Sequence, residues 1–159
     1  MWKAFAELEA LGWLEHPGKP RLISCQSDGC APIAAAFEAG ERFAEPATDP
    51  DTIASGIRVP VALGDFMILD AVRGSGGAAL AADEAKLTEW MRLANALEGI
   101  ALCPEAAACL DVLAGLVARD EVDAGEQVVV FNTGAAQKYV EAIAVDLPTI
   151  EPPVDYTAL

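Results

Sequence analysis

The stretch RLISCQSDGCAPIAAAFEAG, residues 21–40, contains one complete strand-turn-helix unit. Residues 21–26 are short and mostly apolar, which predicts a buried strand, and Ser-Asp-Gly follows as a turn. The alanine-rich segment after it predicts a helix closed by Gly40, because glycine is common just past a helix C-terminus. A unit of this kind is typical of an α/β protein.

The rest of the chain continues the alternation of strand and helix. An amphipathic helix opens the sequence, and further helices are predicted over residues 61–73, over residues 83–97 with Asp83 as N-cap, and from Pro104 onward. Strands are predicted over residues 78–82, 99–102 and 128–131. This order predicts a mostly parallel sheet with helices on both faces and right-handed crossovers.

The first helix begins at Met1 with no strand before it, so the chain is expected to start in the middle of a structural unit. Its apolar residues, including Trp2 and Phe5, recur at spacings of three. We expect Trp2, Phe5 and Trp13 to lie in a dimer interface or to be exposed. A sheet that lacks its first strands leaves an open edge, which predicts self-association or binding of a complementing chain.

Length and composition indicate one globular domain. The chain has 159 residues, of which 53% are hydrophobic and 22% charged, and we assign residues 1–146 to the α/β domain and residues 147–159 to an irregular tail. The net charge of −15 opposes binding to nucleic acid or to anionic lipid. No segment has the roughly 20 apolar residues of a membrane span, and no secretory signal is recognisable. A cytoplasmic protein is expected.

The four cysteines could form a metal site, two disulfides or none of these. Cys25 and Cys30 are separated by four residues, and Cys103 and Cys109 by five, whereas structural zinc sites use closer pairs. The single histidine, His16, lies far from both pairs in the sequence. We therefore predict free, buried thiols and no metal site.

Two polar turns are candidates for ligand binding. The IASG turn, residues 53–56, lies in a long proline-rich loop, residues 41–60, that is expected to contain at most one helical turn. The FNTG turn, residues 131–134, follows the apolar run of residues 128–131. Ligands of open α/β sheets bind at the carboxyl ends of strands, which favours a ligand there. The alternative is that Asn-Thr-Gly only caps the next helix.

Six segments in the same order carry a resemblance to a known family: WKAFAELEALGW, PRLISCQSDGCAPI, TIASGIRVP, ALGDFMILDAVRGSGG, EGIALCPEAAA and VVVFNTGAAQKY. Together they resemble the C-terminal half of threonine synthase, a pyridoxal-phosphate enzyme of fold type II, the tryptophan synthase β type. The serine and threonine dehydratases of the same superfamily are the nearest rivals. The segments ASG and CPEAAA are closer to the synthase pattern, although Ala106 replaces an expected glycine.

The resemblance implies a cofactor, a substrate class and two binding residues. Thr133 matches the position whose hydroxyl hydrogen-bonds the pyridine nitrogen of pyridoxal phosphate, and Gly56 matches the small residue packed against the cofactor ring. A turn glycine with positive φ is the alternative for Gly56. The family converts O-phosphohomoserine and water to threonine and phosphate, so the substrate of the intact enzyme is a small amino acid.

The resemblance also implies that functional parts of the family are missing from this chain. The lysine that binds the cofactor covalently belongs to the N-terminal half, and none of Lys3, Lys19, Lys86 or Lys138 has matching surroundings. The glycine-rich phosphate loop also has no counterpart. We therefore assign no catalytic residue and expect an inactive C-terminal fragment that binds pyridoxal phosphate weakly or not at all. Partners are expected to be a second copy or a complementing N-terminal half. A dehydratase fragment and a non-catalytic interaction module are the alternatives.

Overall fold

The computed structural model describes residues 1–16 and 18–142. At its centre lie two parallel strands, β1 (Ile23–Ser27) and β2 (Ala78–Ala82), which pair along their whole length. The chain between them crosses over through two helices and a long loop. The bounds of β2 agree with the prediction, and β1 lies within two residues of it. The predicted α/β class with a parallel sheet is confirmed.

Five α-helices occur in the described part of the chain. They are α1 (Trp2–Ala10), α2 (Pro32–Glu38), α3 (Asp65–Gly74), α4 (Leu87–Glu98) and α5 (Pro104–Ala118). Proline at the first position begins both α2 and α5, where its missing N–H costs no helical hydrogen bond. Gly99 ends α4 in the left-handed conformation, with φ of 67°.

Asp83 caps the turn before α4, as the sequence predicts. Its carboxylate accepts the N–H of Ala85 at 3.0 Å, and the one-turn 3₁₀ helix Glu84–Lys86 then leads directly into α4. A side-chain oxygen at this position satisfies an N–H group that has no helical partner. The cap therefore determines where the chain turns from the end of β2 into the next helix.

The helices cover both faces of the sheet and bury two separate cores. On one face, α2 and α3 pack on Ala79 through Ile33, Leu69 and Val72. On the other face, α4 and α5 form a larger cluster to which Leu80 of β2 contributes. Neighbouring residues of a strand point to opposite faces, so the Ala79-Leu80 pair serves both cores. Each of these buried aliphatic side chains stabilises the fold by roughly 1.5–3 kcal/mol.

The loop between α2 and α3 contains one short 3₁₀ turn, Ser55–Ile57, as expected. The prediction that the next helix starts at residue 61 is wrong, because α3 begins at Asp65. The Asp65 carboxylate accepts the N–H groups of Phe66 and Ala44, both at 2.7 Å, and thereby fixes the helix start against the loop. Leu63, inside the predicted helix, is 98% exposed.

Two predicted strands are not formed in the described structure. Residues 99–102 and 128–131 are irregular, and their region contributes one isolated antiparallel bridge, Leu102 with Ala135. A strand requires a neighbouring strand to satisfy its backbone groups, and none pairs with residues 128–131 in the described part. Val129 is 77% exposed and Phe131 55% exposed, so these residues do not form the buried strand expected from their composition.

Helix α1 lies at the surface and contributes no buried residue. Trp13 is 72% exposed, whereas Trp2 and Phe5 are partly covered. No helix in the described ranges has the length and apolarity needed to cross a membrane. The predicted domain boundary at residue 146 and the tail of residues 147–159 lie outside the described residues.

Candidate functional site

The IASG and FNTG turns meet at the N-terminus of α5. Gly56 of the first turn contacts Glu105, and Gly134 of the second contacts Cys103. Cys103 is the N-cap position of α5 and Glu105 lies in its first turn. Two turns that are far apart in the sequence are therefore brought to opposite sides of one buried helix end.

Glu105 links the IASG turn to the segment that follows the FNTG turn. Its Oε1 accepts the N–H of Gly56 at 2.8 Å and the hydroxyl of Tyr139 at 2.7 Å. The residue is only 8% exposed, and its Oε2 is buried without a hydrogen-bond partner in the described structure. A buried carboxylate is tolerated when hydrogen bonds replace water, so these two donors keep Glu105 charged.

The hydrogen bonds at Glu105 shift two ionisation equilibria. Burial raises the pKa of Glu105, but the Tyr139 hydroxyl and nearby backbone N–H groups outweigh it and leave the pKa below its ordinary value. The same contact with the carboxylate, helped by burial and negative charge, raises the pKa of Tyr139 to about 12. The stable arrangement is therefore a charged Glu105 beside a neutral Tyr139.

Gly56 is required for this contact by space rather than by backbone conformation. It is absent from the glycines with positive φ, so the alternative of a positive-φ turn glycine is not what the structure has. A Cβ atom at this position would lie 2.7 Å from Oε1 of Glu105, shorter than van der Waals contact. The glycine thus lets the carboxylate approach the backbone of the turn.

The FNTG turn presents exposed polar groups near the same helix end. Thr133 and Asn132 are exposed, and the Asn132 Oδ1 lies 3.9 Å from the Cys103 thiol that donates to it. Burial raises the pKa of that thiol. The 3₁₀ turn Ala136–Lys138 that follows has Ala135 at its N-cap and no side-chain cap. Asn-Thr-Gly therefore does not serve as a cap of the next turn, which was the alternative to ligand binding.

A second carboxylate, Glu84, anchors the start of the IASG turn and was missed by the sequence analysis. Its oxygens accept the N–H of Ile53 at 2.7 Å and the hydroxyl of Thr52 at 2.6 Å, and Ser27 at the end of β1 also donates to it. The signal that could have found Glu84 is its position, since a charged residue just after β2 lies at the carboxyl end of the sheet.

Three of the four lysines are engaged in ion pairs away from the two turns. Lys3 pairs with Glu7 at 3.2 Å and Lys19 with Glu9 at 2.7 Å. Lys86 pairs with Asp83 at 3.3 Å, and Lys138 is exposed. Within residues 1–16 and 18–142, no cluster of three or more potential metal ligands is found. The assignments of Thr133 and Gly56 as cofactor-binding residues stay predictions.

A family model described as pyridoxal-phosphate dependent enzyme matches residues 1–134. Over 142 residues the chain is 32% identical to the threonine synthase of Methanocaldococcus jannaschii, which covers 89% of this chain and 35% of that protein. Over 159 residues it is 29% identical to the threonine synthase of Mycobacterium tuberculosis, covering 99% of this chain and 41% of that protein. The chain therefore spans less than half the length of these curated relatives, which agree with the resemblance seen in the sequence.

Solved structures show the same fold. A fungal L-serine ammonia-lyase from Rhizomucor miehei matches 88% of this chain and 44% of its own, with a TM-score of 0.63 and 20% identity. A bacterial-type threonine deaminase, from the source abbreviated T.th., matches 61% of this chain and 34% of its own, with a TM-score of 0.51 and 21% identity. Identities this low support the shared fold and carry no statement about substrate.

Proposed function

The chain belongs to the family of pyridoxal-phosphate-dependent enzymes, and we propose that it forms one wall of the cofactor site of a threonine synthase. The observation that carries the proposal is the meeting of the IASG and FNTG turns at the start of α5. These are the two turns that match the cofactor-contacting segments of threonine synthases, and Gly56 and Gly134 both contact residues 103–105.

The residues present fit one side of a pyridoxal phosphate site. Thr133 supplies an exposed hydroxyl, which can donate to a ring nitrogen, and Gly56 supplies an exposed backbone position without a side chain. Glu105 holds the first of these turns by its backbone, and its unpartnered Oε2 indicates that the polar groups of this region are not all satisfied within the described chain. The donor set suits a planar heteroaromatic ring on this wall.

The proposed reaction is the conversion of O-phosphohomoserine and water to threonine and phosphate. Pyridoxal phosphate, when bound, supplies an electron sink for the carbanion character that develops on the amino-acid substrate. Thr133 binds and orients the ring, and because its hydroxyl is neutral it does not hold the ring nitrogen protonated as a carboxylate would. Gly56 leaves room for the ring, and Glu105 keeps Gly56 in place.

The remaining groups of the reaction are proposed to come from another polypeptide. The chain spans 35–41% of the length of its curated relatives, and three of its lysines are held in ion pairs. Exposed apolar residues at Trp13, Val129 and Phe131 offer surface for a complementing N-terminal half or for a second copy of this chain. A cytoplasmic location, with the four thiols free, is part of the same proposal.

A complementation assay tests the proposal. The chain alone, mixed with pyridoxal phosphate, is expected to give no stoichiometric lysine adduct on borohydride reduction and no threonine from O-phosphohomoserine. Addition of a polypeptide that contains the part of an archaeal threonine synthase not matched by this chain should restore threonine formation. Turnover by the chain alone that follows its concentration through purification would contradict the need for a partner.

The product separates the two enzymatic alternatives. A complemented dehydratase would release ammonia and a 2-oxo acid from threonine or serine and leave O-phosphohomoserine intact, whereas a synthase would release phosphate from it. The fold neighbours named as a deaminase and an ammonia-lyase make the dehydratase the second candidate to assay. A complex that forms but turns over none of these substrates would favour the non-catalytic interaction module.

A further inference from the structure

Two cysteines that are distant in the sequence lie side by side in the fold. Cys25 is in the middle of β1 and Cys109 is in the second turn of α5, and their thiols are hydrogen-bonded to each other. Both cysteines are free and only partly covered, whereas Cys30 and Cys103 are buried. The chain thus contains one thiol pair in contact and two isolated buried thiols.

The packing of β1 against α5 creates this contact. Cys25 lies beside Leu80 of the neighbouring strand, and both side chains pack against the core cluster formed by α4 and α5. Ala108 and Val112 of α5 belong to that cluster, and Cys109 follows Ala108 directly at the edge of the helix face. The pair is therefore fixed by two rigid elements and not by a loop.

The contact changes the ionisation of both thiols in the way expected of neighbouring cysteines. The hydrogen bond from Cys25 lowers the pKa of Cys109 in spite of its burial. The same hydrogen bond, together with burial and the neighbouring charge, raises the pKa of Cys25. One proton thus leaves the pair more easily than from an isolated thiol, and the second leaves less easily.

From this geometry we propose that Cys25 and Cys109 are a dithiol that forms a reversible disulfide with small disulfide oxidants such as oxidised glutathione. In the first step the Cys109 thiolate attacks one sulfur of the oxidant, so a mixed disulfide forms and one glutathione thiolate leaves. The Cys25 thiol then loses its proton and attacks the Cys109 sulfur, so the intramolecular bond forms and the second glutathione leaves. Two electrons pass from the two cysteines to the oxidant, which is reduced to two thiols.

The disulfide would tie the central strand to the helix that carries the candidate site. Cys109 lies one turn beyond Glu105 on α5, and β1 ends at Ser27, which donates to Glu84. A cross-link between β1 and α5 therefore restrains both elements that position the IASG turn. The inference does not rest on the proposed function, since it concerns a thiol pair outside the two ligand turns.

Peptide mapping of the wild-type chain tests the pairing directly. The folded protein is treated with oxidised glutathione, alkylated in denaturant and cleaved after Asp and Glu. Asp28 separates Cys25 from Cys30, and Glu105 separates Cys103 from Cys109, so each cysteine falls in its own peptide. We expect one reducible cross-link, between the peptides of Cys25 and Cys109, and a decrease from four free thiols to two.

Single-cysteine controls make the outcome unambiguous. The variants Cys25→Ser and Cys109→Ala should each lose the cross-link, and Cys25→Ser should instead retain one glutathione on Cys109. The double variant with Cys30→Ala and Cys103→Ala should keep the cross-link if folded by circular dichroism. Four remaining free thiols in the wild type, a cross-link that includes Cys30 or Cys103, or two separate glutathione adducts at Cys25 and Cys109 would each overturn the proposal.

Discussion

The IASG and FNTG turns reach the same helix end but are held very differently. The first is anchored on two sides by carboxylates: Glu84 binds Thr52 and Ile53, and Glu105 binds Gly56. The second touches α5 through Gly134 and a long contact between Cys103 and Asn132, while Thr133 is exposed. One turn is built into the core, whereas the other rests on its surface.

This difference shows which part of the site the chain can organise by itself. Charge-assisted hydrogen bonds hold a loop firmly because removal of one partner leaves a desolvated group behind. The FNTG turn follows an apolar segment with no paired strand in the described structure, in which Val129 is 77% exposed. We infer that the IASG turn is ordered in the isolated chain and that the FNTG turn depends on contacts supplied by a partner.

Removal of Glu84 is expected to give the largest effect. The substitution Glu84→Ala removes the acceptor of Ser27, Thr52 and Ile53 and should lower the free energy of unfolding by about 3 kcal/mol. Urea unfolding followed by circular dichroism measures this. The control Glu89→Ala changes an exposed residue of α4 and should cost less than about 0.5 kcal/mol. Equal losses in the two variants would contradict the anchoring role of Glu84.

Neutralisation of Glu105 should have the next largest effect. The substitution Glu105→Gln keeps the size of the side chain but removes the charge that accepts from Gly56 and Tyr139, and we expect a loss of about 2 kcal/mol. The control Glu98→Gln, at an exposed position of α4, should be close to neutral. Unchanged stability of Glu105→Gln would show that the buried carboxylate contributes no net stabilisation.

The titration of Tyr139 reports the same contact through pH. Because its pKa is raised from 10.0 to about 12, the neutral hydroxyl stabilises the fold fully below about pH 10, and this contribution is lost as the pH rises through about 12. In a Tyr156→Phe background Tyr139 is the one remaining tyrosine of the chain, so ultraviolet absorbance follows it alone. Glu105→Gln should move the midpoint toward 10. A midpoint near 10 before that substitution would exclude the hydrogen bond.

Substitution of Gly56 by alanine should cost less than either change of charge. The new Cβ would lie 2.7 Å from Oε1 of Glu105, whose flexible side chain can move away at the expense of one hydrogen bond. We expect a loss of about 1 kcal/mol. Gly125→Ala is the matched control, because no atom lies within 4 Å of its added Cβ. A stabilised Gly56→Ala variant would mean that the turn tolerates a side chain there.

The smallest effect on stability is expected at Thr133. Its side chain is exposed, so Thr133→Val should change the free energy of unfolding by less than about 0.5 kcal/mol. In the complemented complex the same variant should reduce threonine formation strongly, because the hydroxyl proposed to orient the ring is replaced by a methyl group. Loss of stability without loss of complemented activity would assign Thr133 a structural role instead.

The sequence predicted the elements whose signals are local. Strand β2 was found with its bounds because a short apolar run lies between Gly77 and the cap residue Asp83, and α5 was found from the proline that begins it. The segment 128–131 was predicted wrongly, because its apolar composition indicates a strand only where neighbouring strands exist. Local composition carries no information about which neighbours are present.

The candidate site was predictable in its turns but not in the groups that hold them. The motif ASG pointed to Gly56, yet the contact of Gly56 with Glu105 joins two parts of the chain that lie far apart in the sequence. The expectation of a positive φ at Gly56 could not be tested from composition, since glycine also occurs where a neighbouring side chain needs the space. Glu84 and Glu105 were hidden among many surface carboxylates until burial separated them.

The most direct test of the account is to observe Gly56 and Thr133 while the cofactor binds. Amide resonances of the isotope-labelled chain, in complex with the complementing threonine synthase polypeptide, are followed by nuclear magnetic resonance during titration with pyridoxal phosphate. If the two turns form one wall of the site, the resonances of Gly56 and Thr133 should shift together and saturably, while that of Gly125 should not change. Saturable binding that shifts neither Gly56 nor Thr133 would contradict the central claim.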